Sequence, residues 1–313
     1  MLSIHTNPAN LATQNALANT QRALTDSLTK LGTGFRINSP MDDAAGLQIA
    51  TRLDGQTRGM AVAQRNTQNG ISLMQTAEGA LSETTNILMR MKDLATEAAN
   101  GSSNDDDKEA MQSEYDALGK ELGNIMKNTS FGGAALFGVG STAAVVNGTG
   151  VGVGELAKTG GMTFQIGASS GETMDVDLSD KIADLTADDS GADGALGVVS
   201  AAFKSSFSAT SPATTELTAD GSAADMIDKL DKALSAVGAI RSDLGAAANR
   251  LDHVYNNLGN MSTNTASAKS RITDVDFATE TANMTANQLL MQSGSSMLKA
   301  SGNMSQLALS LLG

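Results

Sequence analysis

The chain has 313 residues, a formal charge of −13, 3% aromatic side chains, no tryptophan and no cysteine. So acidic a chain lacks the basic footprint that nucleic acid or an anionic membrane surface requires, and without cysteine it has no disulfide, thiol nucleophile or Cys-based zinc site. Its apolar surface must come from Leu, Ile, Val, Met and Ala, which suits a thin seam between helices better than a thick layered core.

The opening Met-Leu-Ser-Ile-His offers neither a basic n-region nor an apolar h-region, so no cleavable signal peptide is expected. No apolar run reaches the roughly 18 residues of a membrane-spanning helix. Asn7-Pro8 reads as a cap and first residue of an N-terminal helix. Leu17, Leu24 and Leu31 then recur in sevens with Leu28 between them, and Gly32 to Gly34 end the run. With so few charges this helix is marginal on its own in water.

A long second helix is predicted from Ser39 to Asn100. Ser39 caps it, Pro40 takes the first helical position, and Asp42 and Asp43 suit the positive end of its dipole. Leu53, Met60, Thr67, Met74, Leu81, Leu88 and Ala95 recur in sevens, and Ala77, Thr84, Met91 and Ala98 form a second ladder three residues on. Together they make the a/d seam of a coiled coil. At about 1.5 Å per residue the helix would run roughly 80–90 Å, too long for a globule to hide, so it is expected to be a rod. Gly46, Gly55, Gly59, Gly70 and Gly79 each cost about 1 kcal/mol of helix propensity and mark kinks or very close neighbours.

Asn100-Gly101 ends this helix, and the polar run to Asp107 caps a third, with the stripe Met111, Tyr115, Leu118, Leu122 and Ile125. Near Phe131 the texture changes. Gly132-Gly133 and the glycines at 148, 150, 152 and 154 break any helix. Met162, Phe164, Ile166 and Ala168 alternate, as do Met174, Val176 and Leu178, with Ser169 to Glu172 between them; this is a hairpin signature. Residues 131–221 read as a small inserted domain, partly β, with mobile links. From position 170 to 228 twelve acidic residues face only Lys181 and Lys204, which predicts a solvent-facing middle and partner-facing ends.

Helix returns at Ser222, with Asp225 in a capping-box arrangement. Ile227, Leu230, Leu234, Val237, Arg241, Leu244, Ala248, Leu251, Tyr255 and Leu258 keep a heptad rhythm without a slip. A break is expected at Thr263–Ser270, then a cap at Thr273 with Asp276, then a last helix carrying Leu290, Met297, Met304, Leu307 and Leu311. The fold class is mainly α: a long coiled-coil rod from paired N- and C-terminal helices, with a small inserted β-containing outer domain.

Catalytic constellations are poor. His5 and His253 are far apart in sequence, and a lone histidine on a helical segment is ordinarily a solvated side chain. There is no His-Glu-x-x-His. Asn104 to Asp107 lack the glycine and distal glutamate of a calcium loop. The glycines at 148–154 do not form a Gly-x-Gly-x-x-Gly turn. No enzyme activity, cofactor or metal is expected. What remains is assembly: apolar helical ends without partners inside one chain imply burial against other copies, and a head-to-tail contact that does not close makes a helical filament.

At this point the motifs resemble a family. Gly34-Phe35-Arg36-Ile37-Asn38-Ser39, followed by Asp42-Asp43-Ala44-Ala45-Gly46-Leu47-Gln48-Ile49-Ala50, resembles the N-terminal signature of bacterial flagellins, and Gln75-Thr76-Ala77-Glu78-Gly79-Ala80-Leu81 continues it. Arg241-Ser242-Asp243-Leu244-Gly245-Ala246 and Ser270-Arg271-Ile272-Thr273-Asp274-Val275-Asp276-Phe277-Ala278 resemble the C-terminal signature. The likeness covers residues 1–137 and 222–313.

The resemblance implies a structural subunit that polymerises into the flagellar filament for swimming motility, extracellular and exported through the flagellar type III apparatus. It implies inner helices from 1–40 and 270–313, a rod from 41–130 with 222–262 (return helix 222–269), and a variable outer domain at 131–221. Self-assembly would use Leu11, Leu17, Leu24, Leu28, Leu31, Leu290, Met297, Met304, Leu307 and Leu311. The rod seam would use Leu53, Met74, Leu81, Leu88, Leu230, Leu234, Val237, Leu244 and Leu251. Implied partners are further copies of the chain, an export chaperone over the C-terminal helix, the filament cap and hook-junction proteins, and host flagellin receptors. The animal receptor would read Arg90, Leu94 and Glu114; the plant receptor would read Arg36, Asp42, Asp43 and Gly46. The alternatives are a hook–filament junction protein of the same family, or a cytoplasmic signalling coiled coil, which predicts ordered ends and no polymer.

Overall fold

The computed structural model describes residues 8–137, 154–158, 160–186, 195–200, 203, 215–219 and 222–310. In chain order these form helix α1 (Pro8–Thr33), α2 (Ala44–Ala98), α3 (Asp105–Asn128), strands β1 (Ser130–Phe131), β2 (Ala134–Ala135), β3 (Met162–Gln165) and β4 (Thr173–Val176), and helices α4 (Ser179–Thr186), α5 (Ala195–Val199), α6 (Ser222–Thr273) and α7 (Phe277–Ser310). The fold is mainly α, with two small antiparallel hairpins. It divides into two compact units, Met1–Arg58 with Ser262–Gly313 and Gly59–Met261.

In the first unit α1 packs against α7. Small residues let the two backbones come close: a Cβ added to Gly294 would lie 3.3 Å from Leu17 Cδ1. α1 ends at Gly34, whose φ of 76° is the left-handed cap that only glycine adopts without strain. The chain then crosses the segment between α6 and α7. Phe35 bridges Asp274 in antiparallel fashion, the Arg36 amide donates to Thr273 O at 2.6 Å, and the Val275 amide donates to Gly34 O at 3.0 Å.

Two boundaries differ from the sequence reading. The break expected at Thr263–Ser270 is absent, and α6 continues to Thr273. That stretch has neither Gly nor Pro, and polar side chains alone do not interrupt a helix. The chain bends at 274–276 instead, and Asp276 rather than Thr273 caps α7: its carboxylate accepts from the Ala278 amide at 3.0 Å and the Thr279 hydroxyl at 2.7 Å. At the head of α2 the cap is Asp43, not Ser39, with the Gly46 amide donating to Asp43 Oδ1 at 2.8 Å. Pro40 lies in a turn before the helix, closed by the Asp42 amide on Ser39 O.

The second unit is built on the seam between α2 and α6. Met60, Thr67, Met74, Leu81, Leu88 and Ala95 are all buried, as is the second ladder of Ala77, Thr84, Met91 and Ala98. α6 runs antiparallel to α2, as the ion pairs Glu78–Arg241 and Lys92–Asp231 show. Its buried face is Met226, Leu230, Ala233, Val237, Ile240, Leu244, Ala247, Leu251 and Leu258. Leu230, Val237, Leu244 and Leu251 are therefore seam residues, while Leu234 is a half-buried flank. Each expected flank position has an apolar neighbour one residue earlier, so spacing alone leaves the choice open. Arg241 decides it, since its guanidinium reaches Glu78 Oε1 at 2.8 Å on the seam's edge.

α3 starts with a capping box of Asn104 and Asp107 and buries Tyr115, Leu122 and Met126. Gly132 (φ 61°) and Gly133 (φ 88°) form the two-residue turn of the first hairpin. In the second, Met162 pairs with Val176 and Phe164 with Met174, so one apolar face meets the helices. Ala168 is not in the strand; it sits in the loop against α2 at Gly59. Leu136, Phe137, Leu156, Met174, Leu178, Ile182, Leu196, Phe203 and Leu217 join Leu81, Leu88, Leu230 and Leu244 in one continuous core. The described part of the insert thus lies along the helices and shares their core.

The helix glycines divide by neighbour. A methyl on Gly59 would come within 2.7 Å of Ala168 Cβ, whereas nothing lies within 4 Å of one on Gly79. Gly79→Ala is expected to raise the unfolding free energy by about 1 kcal/mol, the propensity difference. Gly59→Ala is expected to lower it, because the loop backbone at Ala168 must move. Urea unfolding followed by circular dichroism reads both; equal signs for the two would contradict the assignment.

Candidate assembly and recognition surfaces

The first unit buries little. Among the described side chains of α1 only Leu24 and Ser27 are buried, while Leu17 and Leu31 are half-buried. Leu11 and Leu28 on α1, and Leu289, Leu290 (58% exposed) and Met297 (65% exposed) on α7, stand in solvent. Met304 and Leu307 fall on the α7 backbone, with side chains outside the described set, and Leu311 lies outside the described residues. Each large aliphatic side chain contributes about 1.5–3 kcal/mol when fully buried, so this face holds a strong unused drive toward association. A helix pair with so thin a core is marginal alone.

The junction before α2 collects Arg36, Asp42, Asp43 and Gly46. The Arg36 guanidinium donates to Ile272 O at 2.8 Å. Asp42 Oδ2 accepts from the amides of Ser39 at 2.8 Å and Asn38 at 2.9 Å, and these bonds hold its carboxyl below the usual range. Gly46 is buried; a Cβ there would lie 2.3 Å from the Asp43 carboxylate and 2.8 Å from Ile37 Cδ1. Arg36 thus fastens the junction to the end of α6, while Asp42 and Asp43 fix the local turn and helix start.

The depressed Asp42 value makes this junction acid-sensitive, and Asp276 adds to it, lowered first by the Thr279 hydroxyl and then by the Ala278 amide. A carboxyl with a lowered folded pKa contributes stability above its unfolded value, 3.8 for aspartate, and loses it as pH falls through the folded value. The melting-temperature gap between the parent chain and Asp42→Asn is expected to be constant near pH 6 and to close as pH drops below about 4. A gap independent of pH would show that the Asp42 charge does not matter.

In the second unit Arg90 donates to Glu114 Oε1 at 2.9 Å (Nε) and 2.7 Å, and this contact raises the Arg90 pKa. The pair is half exposed, at 52% and 47%, so solvent screens it and it adds little to stability. Leu94, expected beside them as a receptor contact, is 2% exposed and belongs to the core. The structure brings the two charges together and withdraws the leucine.

Sequence reading missed the polar fastenings of the insert. Gln112 is buried in α3; its Nε2 donates to Asp116 and Glu216, each at 2.8 Å, and its Oε1 accepts the Leu217 amide at 2.7 Å. The Tyr115 hydroxyl donates to Val199 O at 2.7 Å, and burial, with Glu216 and Asp116 nearby, pushes its pKa up. Lys181 pairs with Asp243 across to α6. Sequence spacing has no means of linking partners so far apart in the chain. Among the described residues there is no His, Cys, Asp and Glu group able to hold a metal ion, and no helix long and apolar enough to cross a membrane.

Comparison with known proteins gives two family matches: the bacterial flagellin N-terminal helical region over residues 4–142 and the bacterial flagellin C-terminal helical region over residues 227–312. Flagellin C of Vibrio cholerae serotype O1 is 35% identical over 377 aligned residues, covering 100% of both chains. Polar flagellin B/D of Vibrio parahaemolyticus serotype O3:K6 is 35% identical over 394, again covering 100% of both. A crystal structure of Bacillus cereus flagellin aligns at 30% identity over 66% of this chain and 94% of that one, with a TM-score of 0.45.

Proposed function

The chain belongs to the bacterial flagellins, structural subunits of the flagellar filament, and we propose that it polymerises through the apolar faces left open on α1 and α7. The observation that carries this is the exposure of Leu11, Leu28, Leu290 and Met297 on a helix pair too thin to be stable alone. Copies stacked head to tail bury those side chains and order the helices in the same step. Met304, Leu307 and Leu311 continue the apolar spacing of the sequence and are assigned to assembly on that ground. In the filament, residues 1–40 and 270–313 form the inner layer, 41–130 with 222–262 the rod, and 131–221 the solvent side.

The same apolar face on α7 needs cover before export, which is the task of a flagellar export chaperone; the cap and hook-junction proteins meet it at the filament's ends. The chain works outside the cell and carries out no catalysis. Host receptors find little purchase on the folded subunit. Arg90 and Glu114 neutralise one another and Leu94 is buried, so the animal receptor gains two paired charges and no apolar anchor. Arg36 and Asp42 stay exposed at the junction while Gly46 is buried, so a plant receptor meets the two charges on the folded chain and the whole motif on unfolded chain.

Seeded polymerisation of the purified chain, viewed by negative-stain electron microscopy, tests the reading. Long filaments are expected from the full chain and none from a variant lacking residues 1–31. Filaments from both would place the interface elsewhere, and a soluble monomer under all conditions would exclude polymerisation unaided.

A further inference from the structure

We propose that Asn100 is a self-acting modification site, converted to aspartate and isoaspartate through a cyclic imide closed by the Gly101 amide. Asn100 and Gly101 lie exposed in the turn between α2 and α3. The turn's backbone is held by the Asn100 amide on Glu97 O at 3.2 Å and the Ser103 amide on Asn100 O at 3.1 Å. The two groups that react are left out of this arrangement. Neither the Asn100 carboxamide nor the Gly101 N–H makes a hydrogen bond among the described residues, and nothing lies within 4 Å of where a Gly101 side chain would be.

A second Asn-Gly pair in the chain is an internal control. Asn69-Gly70 lies in the middle of α2, where the Gly70 N–H is engaged in the helical ladder. Phe164 and Leu251 close over it, 3.0 and 3.1 Å from a built Cβ. Asn69, like Asn100, is exposed, so the two are set apart by backbone state and by crowding at the glycine. A third pair, Asn147-Gly148, lies outside the described residues.

The chemistry needs only water. The Gly101 nitrogen gives its proton to solvent and attacks Asn100 Cγ; the Cγ–Nδ2 bond breaks and ammonia leaves. Water then opens the ring at either carbonyl, giving aspartate, or isoaspartate with one extra main-chain methylene. Either product adds a negative charge beside the free carbonyls that end α2, where the helix dipole disfavours it, and close to the acidic first turn of α3 at Asp105, Asp106 and Asp107.

The test is incubation of the full chain in neutral buffer, followed by proteolysis and mass spectrometry of the tryptic peptides 93–108, 66–90 and 128–158. Conversion at Asn100 is expected to run at least about tenfold faster than at Asn69, because opening a helix interior costs more than the roughly 1.4 kcal/mol that a factor of ten represents. Gly101→Ala is the matched variant, since Gly101 has no left-handed φ and nothing near its Cβ position. It should keep the parent's circular dichroism while the methyl slows ring closure about tenfold or more. Conversion of Asn100 no faster than Asn69, or undiminished in Gly101→Ala, would overturn the proposal.

Discussion

Leu290→Asp with Met297→Asp is expected to leave a folded subunit that no longer extends filament seeds. Both side chains are more than half exposed in the free chain, so the charges cost the monomer almost nothing. In the polymer each would be an unpaired carboxylate inside an apolar contact, at about 3 kcal/mol or more apiece. Two such penalties raise the critical concentration by about four orders of magnitude, beyond any practical protein concentration. Circular dichroism should match the parent while sedimentation shows no pelletable polymer. Growth at the parent's rate would mean that this face of α7 stays open in the filament.

The second large effect lies on the seam. Leu244 is 1% exposed and belongs to the core that α2, α6 and the insert share. Leu244→Ala removes three carbons and leaves a cavity that the helices cannot close, at a cost of about 2–5 kcal/mol. That is a large share of the roughly 5–15 kcal/mol by which a domain is stable, and the denaturation midpoint should fall accordingly. Leu290→Ala, on the free face, should change unfolding by less than about 0.5 kcal/mol. Similar losses at the two positions would contradict the division into a packed seam and an open surface.

How much of this was legible in the chain depended on whether the cause was local. The α2 ladder from Met60 to Ala95 was readable because mostly apolar residues recur every seven positions on one face, and every member from Met60 onward is buried. The hairpin at 162–176 was readable because strict alternation has no helical rival. On α6 adjacent apolar pairs such as Ala233-Leu234 made two registers equally plausible, and only the partner Glu78 of Arg241 fixes which is buried. At the head of α2 the rivals were local. Asp42 and Asp43 both suit a helix start, yet the first closes a turn through Asn38 and Ser39 while the second caps α2.

The surfaces were legible in kind more than in place. The apolar ends were evident from composition, and the structure leaves Leu11, Leu28, Leu289 and Leu290 open while covering Leu24. Leu94 shows the limit: the flagellin likeness marks it as a receptor contact, while in the free subunit it is 2% exposed and belongs to the core. A signature carried over from relatives fixes residue identity. It does not fix what a divergent insert lays nearby.

In the proposed filament other copies cover the open faces of α1 and α7. Hydrogen–deuterium exchange of the free chain and the grown filament, compared peptide by peptide, tests it most directly. Residues 8–33 and 277–310 should exchange fast in the free chain and become strongly protected on polymerisation, while the α2–α6 seam is protected in both. Unchanged exchange in α1 and α7, with new protection elsewhere, would mean that copies meet through other surfaces.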